Sequence, residues 1–166
     1  MLALTDLAMR LGIALQAQSA HVTTAESCTG GGIAEAITRV AGSSAWFEVG
    51  FVTYSNEQKT RVLKVPVDLF GEVGAVSREV VGAMVRGAQR ASGAHYGVAV
   101  SGVAGPGGGS PEKPVGTVWL AWAAGERVIT RRFRFDGDHQ AVREQSVEAA
   151  LVGLIRLVAG ENPLEG

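Results

Sequence analysis

Strands alternating with helices, followed by a hairpin, predict an α/β protein: a single-domain three-layer α/β/α sandwich around a mixed, mostly parallel sheet. Three observations carry this expectation. Val22 to Ala25 has three β-branched residues in a row, then a cluster of small residues, Ser27 to Gly32, then Ile33, Ala36, Ile37 and Val40 at helical spacing. Phe51 to Tyr54 is β-branched and aromatic and feeds a helix-favouring stretch from Glu57 to Leu63 that Pro66 should stop. Val115 to Ala123 and Arg127 to Phe135 read as strands joined through Ala124-Gly125-Glu126, hence an antiparallel pair.

The remaining elements fill in around these. From Thr5, an N-cap candidate followed by acidic Asp6, the residues Leu7, Leu11, Ala14 and Leu15 recur with the period of an amphipathic helix. Asn56 can cap the helix that contains Lys59, and Ser77 can cap one carrying Val80, Val81, Met84, Val85 and Ala88, ending around Ser92 and Gly93. Gly97 to Val100 reads as a buried strand, and Gly102 to Pro114 as a long glycine and proline loop. A closing helix from about Asp138 to Val158 shows an apolar stripe through Val142, Val147, Leu151, Leu154, Ile155 and Val158. The chain has 166 residues, 46% of them apolar, which suits one core over 1–160 with residues 161–166 expected to fray.

Charge and cysteine content exclude several classes of function. With 15 basic and 16 acidic residues the net charge is −1, so there is no general attraction to nucleic acid or to an anionic membrane, and an anionic ligand must be held by local groups. Cys28 is the only cysteine and His21, His95 and His139 are widely scattered, so neither an intrachain disulfide nor a several-cysteine metal site is expected. No apolar run is long enough to span a bilayer, and the N-terminus lacks the basic-then-apolar layout of a secretory signal, which makes the cytosol the expected compartment.

The glycine-rich turns Ser27 to Gly32 and Ser101 to Ser110 both follow expected strands, where an open α/β sheet binds ligands. Neither matches a phosphate fingerprint, since Gly105-Pro106-Gly107 lacks the third glycine and no Gly-Lys-Ser/Thr follows. Cys28, at an expected helix N-terminus, is a thiol nucleophile candidate or a small buried residue. A serine needs a base, and Lys59 can serve if burial near the sheet end leaves its amine neutral. Ser55, four residues before Lys59, is one candidate partner; Ser43 and Ser44, ahead of Ala45-Trp46-Phe47, are others, with free amides nearby to stabilise an oxyanion.

The runs Thr24-AESCTGGG-Ile33, Val40-AGSSAWFEVGFVTYSNEQK-Thr60, Gly74-AVS-Arg78 and Val100-SGVAGPGGGSPEKPVGTVW-Leu120 resemble the CinA C-terminal family across nearly the whole chain. The chain is more similar to that family's stand-alone nicotinamide-nucleotide amidases than to full-length members, which carry an N-terminal molybdopterin-binding-like domain. The resemblance implies hydrolysis of nicotinamide mononucleotide to nicotinate mononucleotide and ammonia, in pyridine nucleotide recycling, with no cofactor and no metal. It implies Ser44 as nucleophile, Lys59 as base and Tyr54 as an accessory hydroxyl. It further implies a substrate-binding set of Ser27, Thr29, Gly30, Ser43, Gly102, Gly105, Gly107, Gly108 and Arg143. Gly107 departs from relatives that carry aspartate there.

Two rival readings belong to other classes. One is a non-catalytic nucleotide-binding or interaction module that keeps the fold; the other is a cysteine hydrolase acting through Cys28. Trp46, Phe47 and Trp119 suit either a homo-oligomeric surface, a homodimer or larger, or ordinary core positions.

Overall fold

A computed structural model of the chain describes residues 3–164. The sheet has five strands: β1 (Val22–Glu26), β2 (Phe47–Val52), β3 (Tyr96–Gly102), β4 (Thr117–Ala124) and β5 (Arg127–Arg134). Their order across the sheet is β2-β1-β3-β4-β5. β1 runs parallel to both of its neighbours, whereas β4 pairs antiparallel with β3 and β5 antiparallel with β4. This is the mixed sheet with a terminal hairpin that the sequence predicts.

Among the described residues six α-helices cover the two faces: α1 (Leu4–Ala17), α2 (Gly32–Thr38), α3 (Asn56–Leu63), α4 (Asp68–Glu72), α5 (Arg78–Ser92) and α6 (His139–Val158). Side chains alternate across a strand, so each strand feeds two cores. Val98 and Val100 of β3, with Val118, Leu120 and Trp122 of β4, pack with α1, α2 and α6. Ala99, Ala121 and Ala123 pack instead with Val80, Val81, Met84 and Val85 of α5 and with Leu63 of α3.

Helix ends follow their caps. Ser77 Oγ accepts from the Val80 amide and Asp138 from the Ala141 amide, as capping side chains do. At α3 the cap is Ser55, which accepts from the Gln58 amide, rather than the expected Asn56. That helix stops at Lys64, whose φ is 63°, before Pro66 is reached. α1 begins at Leu4, with Ala3 in the cap position, not Thr5. α4 was not foreseen, because a five-residue element is too short to display a period.

Of the tail expected to fray, residues 161–164 are tied to the body, and 165–166 lie outside the described residues. The Glu161 amide donates to Arg156 O, Arg156 Nε to Asn162 O, and Arg131 Nη1 to Leu164 O. Trp46 is buried, and Phe47 and Trp119 are half-buried against the cores, so these aromatics serve packing. No helix among the described residues is long and apolar enough to cross a membrane.

One close approach fixes α3, and with it Lys59. Gly87 of α5 lies so near the α3 terminus that a Cβ there would meet the Leu63 carbonyl oxygen at 2.0 Å. A backbone atom cannot swing aside as a side-chain tip can, so Gly87→Ala should force the two helices apart. We expect a stability loss of roughly 1–3 kcal/mol, measured by thermal or denaturant unfolding.

Candidate active site at the carboxyl edge of the parallel strands

Ser27 follows β1, Tyr54 to Asn56 follow β2, and Ser101 and Gly102 end β3. All three strands are parallel, so these residues meet at one edge, the place where open α/β sheets form ligand crevices. The cavity there, about 250 Å³, is lined by Ser27, Tyr54, Asn56 and Lys59, by Ser101, Gly102, Ala104 and Gly105 of β3 and the loop after it, and by His139.

Alternation along β1 assigns the roles of its last residues. Ala25 packs into the α3 and α5 core, so Ser27, two residues on, faces the same side and Glu26 the opposite one. The fully buried Glu26 carboxylate accepts from Thr29 Oγ1 at 2.6 Å and from the Ile33 and Ala34 amides at 2.8 and 3.0 Å. It thereby ties the turn carrying Ser27 to the first residues of α2.

On the other face, Lys59 and Leu63, one helical turn apart, form the buried side of α3. Lys59 is only 1% exposed. Its Nζ donates to Ser27 Oγ at 2.9 Å and to the Tyr54 carbonyl at 3.3 Å. Among the described residues it forms no salt bridge with a carboxylate, and desolvation holds its pKa below the ordinary lysine value. The sites therefore juxtaposes a serine hydroxyl with an amine whose charged form is disfavoured.

The expected pairing of Ser44 with Lys59 is not what the structure builds. Ser44 is exposed in a single 3-10 turn, Ser43–Ala45, that leads into the start of β2, while Lys59 lies beyond the end of β2. Six residues of strand separate the two positions, about 20 Å at the usual rise per residue. Ser43 is buried beside Ser44 at that same amino end. Ser55, the other nearby hydroxyl, is occupied as a helix cap.

Further corrections concern the binding set. Thr29 turns its hydroxyl to Glu26, and neither Thr29 nor Gly30 lines the cavity. Arg143 donates from Nε to Cys28 O and from Nη2 to Thr29 O, both at 3.1 Å. It braces the turn from behind and lines a different cleft, between α2 and α6. Gly102 and Gly105 line the site, whereas Gly107 and Gly108 are exposed farther along the loop. Tyr54 contributes its carbonyl to Lys59 and, 64% exposed as a residue, sits at the rim.

Cys28 lines the cavity, yet burial pushes its thiol up to about 12, opposite to the lowering expected of a helix N-terminus. A thiol so held is a poor nucleophile. No cluster of His, Cys, Asp and Glu able to hold a metal occurs among the described residues. Sequence reasoning passed over Glu26 and His139. An acidic residue ending a strand just before a small-residue turn and a helix was a readable sign for the first; His139 carried no comparable sign.

The architecture defines an α/β protein with a hydroxyl and an amine paired at the carboxyl edge of its parallel strands. The chain belongs to the CinA C-terminal domain family, whose model matches residues 4–158. It is 72% identical over 154 residues to the nicotinamide-nucleotide amidohydrolase PncC of Pseudomonas putida, covering 93% of this chain and 96% of that one. It is 55% identical over 149 residues to the PncC protein of Escherichia coli, covering 89% and 90%. Among solved structures, a CinA superfamily protein from Klebsiella pneumoniae superposes with a TM-score of 0.93 at 40% identity, covering 96% of this chain and 99% of its own. The competence/damage inducible protein CihA of Agrobacterium tumefaciens gives 0.90 at 45% identity, covering 93% and 94%.

The lowered pKa of Lys59 has a consequence for stability. An amine harder to protonate in the folded state than in the unfolded chain destabilises the fold fully below its folded pKa, and the penalty fades as pH rises toward the ordinary lysine value. Lys59→Met, similar in length and uncharged, should therefore unfold at higher temperature than the unsubstituted protein at acidic pH. The difference should narrow on going alkaline, which thermal unfolding across pH will measure.

Proposed function

We propose that the chain hydrolyses the carboxamide of nicotinamide mononucleotide to nicotinate mononucleotide and ammonia, with Ser27 as nucleophile and Lys59 as general base. The names of the relatives above, nicotinamide-nucleotide amidohydrolases, support this class of substrate. The observation that carries the reading is the buried 2.9 Å contact between Ser27 Oγ and Lys59 Nζ. In this account Ser27, rather than Ser44, takes the role of nucleophile.

Neutral Lys59 takes the hydroxyl proton as Ser27 Oγ attacks the carboxamide carbon, giving a tetrahedral oxyanion. The Cys28 amide, next after the nucleophile, and the polar groups of Tyr54, Asn56 and Ser101 around the cavity supply donors for it. Lys59 returns the proton to the departing nitrogen, and ammonia leaves an ester on Ser27. Water, deprotonated by the same amine, then attacks the ester carbonyl, and the serine regains its proton from Lys59 as nicotinate mononucleotide departs.

The test is ammonia release from nicotinamide mononucleotide by purified variants. Ser27→Ala and Lys59→Met should each lose about a thousandfold or more in kcat, while Ser44→Ala and Cys28→Ala should keep turnover. A Ser27→Ala enzyme of full activity would refute the assignment. Because Lys59 must be neutral to act, kcat should fall as pH is lowered through its depressed pKa. Lys59→Met should show no such limb.

A further inference from the structure

The mononucleotide differs from its riboside by a phosphate, and the protein must hold that anion without a positive surface, since its net charge is −1. Arg143 is turned to the carbonyls of Cys28 and Thr29 and lines another cleft. Of the residues lining the Ser27 cavity, only Lys59 and His139 have side chains that can carry positive charge. In the proposed reaction Lys59 acts as a neutral amine, so it is unsuited to anchoring an anion.

His139 is the first residue of α6 and is exposed at the cavity wall. Its Nδ1 lies 2.6 Å from the Gly105 carbonyl oxygen. A carbonyl can only accept, so Nδ1 carries the proton and Nε2 is the ring's remaining polar atom. That bond fixes the imidazole against the glycine loop. In the neutral ring Nε2 is a lone pair and repels an oxyanion; protonated, it becomes a charged donor.

We infer that His139 is the phosphate-binding and specificity-determining residue of the site, its imidazolium Nε2–H donating to the substrate's phosphate. The inference rests on the proposed amidase reading and extends it to how the phosphorylated substrate is selected. The protonated ring places a charge-assisted hydrogen bond where Gly102, Ala104 and Gly105 form the wall. The ionisable groups that share the cavity with the ring are Cys28 from the turn after β1, and Tyr54 and Lys59 across it, with Asp138 preceding it as the cap of α6. Asp138 is engaged by the Ala141 amide.

The experiment compares kcat/KM for nicotinamide mononucleotide with that for nicotinamide riboside in the unsubstituted protein, His139→Asn and His139→Arg. Asparagine keeps a donor for Gly105 but lacks Nε2; arginine carries a permanent charge. We expect His139→Asn to lower the mononucleotide-to-riboside ratio by roughly tenfold, mostly through KM, the size of one solvent-exposed charge-assisted bond. His139→Arg, which keeps a positively charged donor at this position, should hold the ratio near that of the unsubstituted protein.

A ratio unmoved in His139→Asn would overturn the inference. Titrating the His139 ring resonances of the unsubstituted protein with inorganic phosphate gives a second test, independent of turnover: a saturable shift supports the site and its absence overturns it. If the unsubstituted protein released no ammonia from the mononucleotide, the amidase reading would fail, and the phosphate titration would still decide the role of His139.

Discussion

A lysine amine buried to within 1% of its surface and bonded to a serine hydroxyl is the constraint around which the rest of the site is arranged. Placing an ammonium in such a position is unfavourable unless a carboxylate compensates it. The nearest buried acid, Glu26, is turned to the other face of the sheet and engaged by Thr29 and the α2 amides. Geometry alone thus disfavours the charged form of a potential base: one residue presents the carboxylate to α2 and the next presents the hydroxyl to α3.

Several contacts far apart in sequence hold that arrangement. Gly87 lets α5 approach the end of α3, Glu26 fastens the turn from within, and Arg143 on α6 binds two of its carbonyls from the far side. The turn is therefore fixed at both faces while Ser27 remains at the cavity. Preorganisation of this kind matters for acyl transfer, because a nucleophile displaced by about an ångström loses much of its advantage.

The fold was readable from periodicity and turn chemistry because its elements are long or bounded by clear caps, as with Ser77, Gly93 and Asp138. Lys59 was readable too, as a lysine just past a strand end. Its partner was not. Spacing favours Ser55, and the family resemblance pointed to Ser44, but Ser55 caps its helix and β2 stands between Ser44 and the amine. Ser27 lies 32 residues from Lys59, and the two meet only because β1 sits beside β2 and strand alternation turns Ser27 toward α3. Register and strand order are tertiary facts that a local pattern does not contain. The same holds for Arg143 and His139, which share α6 yet open onto different cavities.

The central claim, that the hydroxyl beside Lys59 is the one acylated, is tested most directly by trapping the intermediate. The enzyme would be mixed with nicotinamide mononucleotide, quenched in acid during steady turnover and digested, and the adduct located by mass spectrometry. The account predicts a nicotinoyl mononucleotide ester on the peptide containing Ser27, absent when Lys59 is methionine. An adduct on the peptide containing Ser44 instead, in an enzyme turning over normally, would contradict it.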